Sequence, residues 1–160
     1  MQWLLFLLCA TFIVSGCMTS EKMPSTMPDD FNFSLQYGFE AKNELNTFDS
    51  TYTKDLIETG EIMTEFKLTS GELEALYDEM VHAEILTTPN NVSDPCVAPH
   101  ETNKMSLLLD GETYDFDWVT SECPKAADQK LKQFTDFLHH EIVTNRTEYK
   151  ELPDVVGGYD

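Results

Sequence analysis

Four histidines are the side chains in this chain best suited to bind a metal ion or to transfer protons. His82, His100, His139 and His140 are scattered, and none belongs to an HExxH motif or to a cysteine–histidine cluster with zinc spacing. A metal site needs three or four converging ligands, which this spacing does not supply. We therefore expect solvated or capping histidines and no metal site.

Acidic residues in the middle of the chain raise the question of calcium binding. Asp115 and Asp117 alternate along a predicted strand, and together with Asp110 they lack the DxDxDG loop that wraps a calcium ion. Exposed polar residues on a strand explain them better. The sequence also has no GxSxG motif and no glycine-rich phosphate loop. We identify no catalytic residues and expect no cofactor.

Lys54 and Asp55 are the most unusual polar pair. They close the stretch Thr51-Tyr52-Thr53-Lys54-Asp55 at the end of a predicted strand, in a chain with only 10 Lys and Arg residues. We treat the two residues as a candidate surface site. The alternative is a paired surface charge without a function.

The cysteine at position 17 has a different chemistry available to it. Residues 3–14 are almost entirely apolar, and the run of about 12 residues is shorter than the roughly 20 needed to cross a bilayer as a helix. It ends in Val14-Ser15-Gly16-Cys17, which resembles the lipobox of bacterial lipoproteins, where the thiol is acylated and the chain is cut just before the cysteine. Residues 1–16 are therefore predicted to be a signal peptide.

One feature departs from that pattern, because Met1-Gln2-Trp3 carries no Lys or Arg where a signal peptide normally has positive charge. The alternative is a buried apolar N-terminal helix. Lipid on Cys17 would hold the protein on the cell membrane, on its extracytoplasmic face, without a spanning helix.

The number and positions of the remaining cysteines are compatible with an exported protein. Cys9 lies in the predicted signal peptide, which leaves Cys96 and Cys123 as a single pair. In an oxidising compartment such a pair is usually a structural disulfide, and no CxxC motif indicates redox chemistry.

Length and charge limit the classes of function. Cleavage leaves 144 residues, enough for one domain, and the net charge of −19 stays on this part. Such acidity argues against nucleic acid and against electrostatic binding to anionic headgroups. Residues 17–30 are small, polar and interrupted by prolines, so we expect a lipidated cysteine followed by a flexible tether, and then one domain over 31–160 with a C-terminal tail.

Alternating apolar residues predict the strands. Phe31 to Phe39 alternate strictly and form the clearest strand. After an expected turn at 43–46, further strands are predicted over 48–56 and 62–68. Asp110-Gly111 predicts a two-residue type I′ turn, which pairs Leu109 with Glu112 and, at the far end, Lys104 with Asp117.

Two helices complete the prediction. Thr69 and Glu72 form a capping box at the start of the first helix, which should end before Thr87. The second is expected from Pro124 to about Asn145. The order βββαββα indicates an α+β fold, an antiparallel sheet of about five strands with both helices packed on its apolar face.

Several short runs resemble a group of uncharacterised secreted lipoproteins of Gram-positive bacteria. These runs are Phe33…Tyr37-Gly38, Asn46-Thr47-Phe48, Thr51-Tyr52-Thr53-Lys54-Asp55, Leu68…Glu72-Leu73 and Leu152-Pro153…Gly157-Gly158-Tyr159. The resemblance implies a location in the cell envelope and brings no activity, cofactor or catalytic residue.

The sequence therefore favours a membrane-anchored, non-enzymatic domain that binds an envelope protein or ligand. The alternatives are an envelope hydrolase with a site assembled from dispersed residues and a lipoprotein inhibitor of an extracellular enzyme. A cleft holding a histidine or carboxylates with shifted pKa values would favour the hydrolase. An exposed apolar patch without such a cleft would favour the domain that binds a partner, or the inhibitor.

Overall fold

A six-stranded antiparallel sheet forms the centre of the molecule, seen in a computed structural model that describes residues 22–91, 100–120 and 126–159. The strands are β1 (Asn32–Tyr37), β2 (Asn43–Asn46), β3 (Thr51–Asp55), β4 (Glu61–Glu65), β5 (Glu101–Leu109) and β6 (Glu112–Thr120), in the order β4-β3-β2-β1-β5-β6. The helices are α1 (Ser70–His82), α2 (Ala126–Phe137) and α3 (Thr147–Lys150), and a π turn over Leu138–Val143 follows α2. The α+β prediction is confirmed, with six strands instead of five.

The additional strand is β2, where a turn was predicted. Asn43-Glu44-Leu45-Asn46 has poor strand propensity, but it pairs with β1 on one side and β3 on the other, and Leu45 is fully buried. Pairing with two neighbours and burial of Leu45 outweigh the local preference of asparagine for turns. The real turns lie on either side, after Gly38 at φ 88° and through Ser50 at φ 55°.

The β5–β6 hairpin has the predicted register along its whole length. Leu109 pairs with Glu112 and Lys104 with Asp117, and the pairing continues to Glu101 and Thr120. Asp110 and Gly111 adopt the positive φ values of a type I′ turn, 50° and 79°. The Asp30 carboxylate accepts both turn amides, at 3.0 Å from Asp110 N and 2.6 Å from Gly111 N.

One face of the sheet is covered by α1 and α2, and we call it the covered face. Its core includes Phe33, Leu35, Leu107 and Trp118 from the strands, together with Leu76, Met80, Leu131 and Phe134 from the helices. The predicted capping box is present, because Thr69 Oγ1 accepts the Glu72 amide while Glu72 accepts the Thr69 amide.

Residues 22–30 are packed on the domain, although a flexible tether was predicted there. Met23 and Met27 pack against the core, and the Tyr77 hydroxyl donates a hydrogen bond to Pro24 O at 2.7 Å. The hydrogen bond from Tyr77 and the packing of the two methionines stabilise this arrangement, although the segment is mostly polar and interrupted by prolines. The start of the folded domain is therefore earlier than Phe31.

Candidate functional site

Lys54 is buried in the structure, with 5% of its surface exposed. Its ammonium donates a hydrogen bond to Pro153 O at 2.8 Å and lies 4.5 Å from the centre of the Tyr149 ring. None of the ion pairs found among the described residues includes Lys54. The Pro153 carbonyl and the face of the Tyr149 ring are therefore the partners of the Lys54 ammonium.

Asp55 points to the opposite side of β3 and is also buried, with 8% exposed. Its carboxylate accepts hydrogen bonds from the Tyr159 hydroxyl and from Ile57 N. The prediction of a surface site is therefore corrected: the C-terminal tail folds back over both residues. They do not pair with each other, because successive residues of a strand point to opposite faces.

Tyr159 closes this tail onto the sheet. Its ring stacks on Phe39 with the centroids 3.9 Å apart, and its hydroxyl accepts a hydrogen bond from Lys42 Nζ at 3.0 Å. The hydrogen bond to the Asp55 carboxylate raises the pKa of Tyr159. Val156 adds a parallel bridge to Ile57. These contacts leave Lys54 and Asp55 unavailable to a ligand while the tail is in place.

A row of polar side chains crosses the covered face near one end of the sheet. The strand register places Asn103, Tyr37, Asn43 and Lys54 side by side on neighbouring strands. Asn103 is fully buried and donates a hydrogen bond to Thr120 Oγ1 at 2.7 Å. Each member of the row makes at least one hydrogen bond, so the row forms a polar layer inside an otherwise apolar core. The Asn103 Oδ1 atom has no partner among the described residues.

His139 is joined to this layer and is not simply a solvated histidine. Its Nδ1 lies 2.9 Å from the Tyr37 hydroxyl, which lies 3.0 Å from the hydroxyl of Tyr52. Burial lowers the pKa of His139 to about 4, with a further contribution from His140. Burial likewise raises the pKa of Tyr37. At neutral pH the imidazole is therefore uncharged, and the tyrosine keeps its proton.

The π turn after α2 presents His139 to the sheet. A π turn inserts one extra residue into a helical turn and is frequent at functional sites. Here Leu138, Ile142 and Val143 all remain buried while His140 is exposed. The sequence predicted an uninterrupted helix through this region, since the apolar spacing Leu131, Phe134, Leu138 and Ile142 is compatible with both geometries.

A small pocket opens beside this histidine, and we call it the His139 pocket. Its volume is about 130 Å³, and it is lined by Tyr37, Gly38, Asn43, Glu101, Thr135, Asp136, His139 and His140. Glu101 is solvent-exposed at the mouth, yet the surrounding walls remove enough water to raise the pKa of its carboxyl. The sequence gave no sign of this pocket, because its lining comes from four separate segments.

On the other side of the sheet the C-terminal tail covers Asp55 at the end of β3, and no helix of the described ranges covers the rest, which we call the open face. A depression of about 540 Å³ crosses β1, β5 and β6, lined by polar side chains that include Ser34, Gln36, Lys104, Ser106, Asp115 and Asp117. Asp115 and Asp117 lie on this face as strand residues, and Asp110 lies apart in the turn. Within the described ranges, no group of three or more His, Cys, Asp or Glu residues could hold a metal ion.

The three predicted cysteine sites, Cys17, Cys96 and Cys123, lie outside the described residues. Among the helices that the structure does describe, none combines the length and apolar character needed to cross a bilayer. Comparison with protein-family models found no match, and comparison with curated proteins found none either.

Proposed function

We propose that this chain is a lipid-anchored binding domain of the cell envelope, attached through Cys17 on the extracytoplasmic side, and that it binds a basic protein segment on the open face. The observation that carries the proposal is the uncovered polar side of the sheet. A sheet face that stays exposed costs little when its side chains are polar, and it offers a broad, preformed surface to a partner.

The charges of the open face favour a cationic partner. Directly paired strand residues share a face, so Glu44 lies on this side with Gln36, and Asp115 and Asp117 follow on β6. Edge strand β4 adds the carboxylates of Glu61 and Glu65. Lys104 is the one strand cation on this face within the described ranges. Opposite charges on a partner would steer association and set its orientation.

Binding of an octalysine peptide tests this surface. We expect the variant Asp115→Asn/Asp117→Asn to bind the peptide roughly tenfold more weakly at low salt, because it removes two exposed carboxylates beside Lys104. Titration calorimetry at two salt concentrations measures the change, and salt should weaken binding to the wild type.

The matched control is Glu74→Gln/Asp78→Asn, which removes the same charge from the exposed side of α1. We expect this variant to lose less than threefold in affinity, since it lies away from the open face. An equal loss in both variants would mean that the peptide responds only to total charge, and the open face would then be rejected as the site.

The anchor has its own test. Full-length chain expressed in a Gram-positive host is expected in the membrane fraction, with an N-terminal peptide whose mass shows acylated Cys17. The variant Cys17→Ala should be released into the soluble fraction, because two or three acyl chains are what hold the protein on the bilayer. Membrane retention of Cys17→Ala would contradict the proposed attachment, whatever the outcome of the peptide experiment.

The His139 pocket meets one condition set for a hydrolase, because it combines a histidine and a carboxylate with shifted pKa values. Among the described residues of its lining, no hydroxyl is free to act as a nucleophile. The Tyr37 hydroxyl is engaged with His139 and Tyr52, and the Thr135 hydroxyl bonds the carbonyls of Leu131 and Lys132. Binding is therefore the function that these contacts support better.

A further inference from the structure

We propose that the His139 pocket binds a small organic cation that carries a primary ammonium group. This site is separate from the open face, so the inference does not depend on the proposed function. Three properties of the pocket carry it: the size of the space, the Glu101 carboxylate that enters no ion pair among the described residues, and the absence of Lys and Arg from the described part of the lining.

The size limits the ligand. The volume is about 130 Å³, and a water molecule takes up about 30 Å³ of liquid, so the pocket holds about four waters. A ligand of four or five non-hydrogen atoms fits this space. A group of that size on the end of a longer molecule would fit equally well, since the pocket opens to solvent at Glu101.

The carboxylates select a cation. Of the two in the lining, Asp136 is already paired with Lys132, whose Nζ lies 2.8 and 2.9 Å from its oxygens. Glu101 takes part in none of the ion pairs among the described residues. The pocket walls disfavour its charged form more than the nearby charge of Lys132 favours it, so the pKa of Glu101 is raised, and an ammonium group that binds beside the carboxylate would relieve this cost.

The described lining offers little opposition to a positive charge. None of the eight residues is Lys or Arg, and the imidazole of His139 is neutral at pH 7. An anionic ligand would meet both carboxylates, so repulsion excludes it. A neutral alcohol would fit the space but leave the charge of Glu101 unpaired, whereas an ammonium group donates to it with a charge-assisted hydrogen bond.

A titration with propylammonium chloride, followed by ¹⁵N–¹H correlation spectra of the folded chain at pH 7, tests the inference. We expect saturable shifts of the Gly38, His139 and His140 amides with millimolar affinity. 1-Propanol at the same concentrations, and sodium chloride at matched ionic strength, should each give at least tenfold smaller shifts at these amides.

The variant Glu101→Gln should weaken the binding of propylammonium at least tenfold, and it should fold normally because the residue is exposed. Glu74→Gln, which removes an exposed carboxylate from α1 and lies outside both the pocket and the open face, is the matched control and should leave the affinity unchanged. Three results would each overturn the inference: no saturable shift at the pocket, equal shifts with 1-propanol, or undiminished affinity in Glu101→Gln. Shifts confined to Asp115 and Asp117 would assign the cation to the open face instead.

Discussion

The variant Arg146→Ala is expected to lower the free energy of unfolding by about 2–3 kcal/mol at pH 7, because hydrogen bonds between charged groups contribute about 1.5–3 kcal/mol and partial exposure reduces this. The guanidinium donates to Glu72 at 2.7 Å, to Glu148 at 2.7 Å and to Lys67 O at 3.1 Å. It also lies 5.2 Å from the centre of the Phe66 ring. One side chain thus joins the start of α1, the end of the sheet and α3.

The pH dependence of the stability lost in Arg146→Ala shows whether the ion pairs of Arg146 cause that loss. Hydrogen bonds from Arg146 hold the pKa of Glu148 at about 2, and hydrogen bonds from Thr69 and Arg146 lower the pKa of Glu72 despite its partial burial. A carboxylate whose pKa is depressed by folding stabilises the protein above its unfolded pKa of about 4.3 and loses this effect as pH falls toward the folded value. The difference between wild type and variant should therefore shrink between pH 5 and pH 2.

Urea denaturation at pH 7, 4 and 2.5, followed by circular dichroism, measures both effects. Lys130→Ala is the control, since it breaks one ion pair with Glu84 whose side chains are 39% and 63% exposed. We expect a loss below about 1 kcal/mol for this control. A loss in Arg146→Ala that stays constant with pH would assign its effect to packing against Phe66 instead of to the carboxylates.

Replacing Cys96 and Cys123 with serine is expected to lower the free energy of unfolding by about 3–4 kcal/mol, since the proposed disulfide would close a loop of this size in the unfolded chain. The described ends of the hairpin are compatible with the bridge. Glu101 pairs with Thr120, and the cysteines lie five residues before and three residues after this pair. The few residues between this pair and each cysteine are enough, when extended, for the two cysteines to meet.

Thermal unfolding of the mature protein measures this loss, and we expect a decrease in Tm of roughly 10–15 °C. Dithiothreitol should lower the Tm of the wild type by the same amount and leave the double serine variant unchanged. Two free thiols at these positions, found by mass spectrometry of the non-reduced mature protein, would refute the bridge.

Local signals were enough to predict part of the fold from the sequence. The Asp110-Gly111 turn fixed the register of β5 and β6, because a two-residue turn allows one pairing and the burial pattern agreed with it. The capping box of Thr69 and Glu72 set the start of α1 in the same way. In both places, short-range chemistry and burial favoured the same structure.

Long-range contacts decided the parts that the sequence did not predict. Strand β2 forms because two neighbours pair with Asn43–Asn46, and no local preference of that segment indicates it. The candidate site was missed for a related reason. Tyr37 occupies an apolar position in an alternating strand, and nothing near it in the chain reveals that its hydroxyl meets His139, 102 residues later. Lys54 and Asp55 were placed on the surface because the tail that buries them is about 100 residues away.

The hydrogen bond between Tyr77 and Pro24 has a consequence for how the protein would stand on a membrane. It fixes the incoming chain beside α1, on the helix side of the sheet. Six residues separate Cys17 from Pro24, and the seven steps along this chain reach at most about 25 Å when fully extended. With lipid on Cys17, this short connection would favour orientations in which the helices lie toward the headgroups and Asp115 and Asp117 face outward. A basic partner would then approach from the aqueous side without entering the gap above the bilayer.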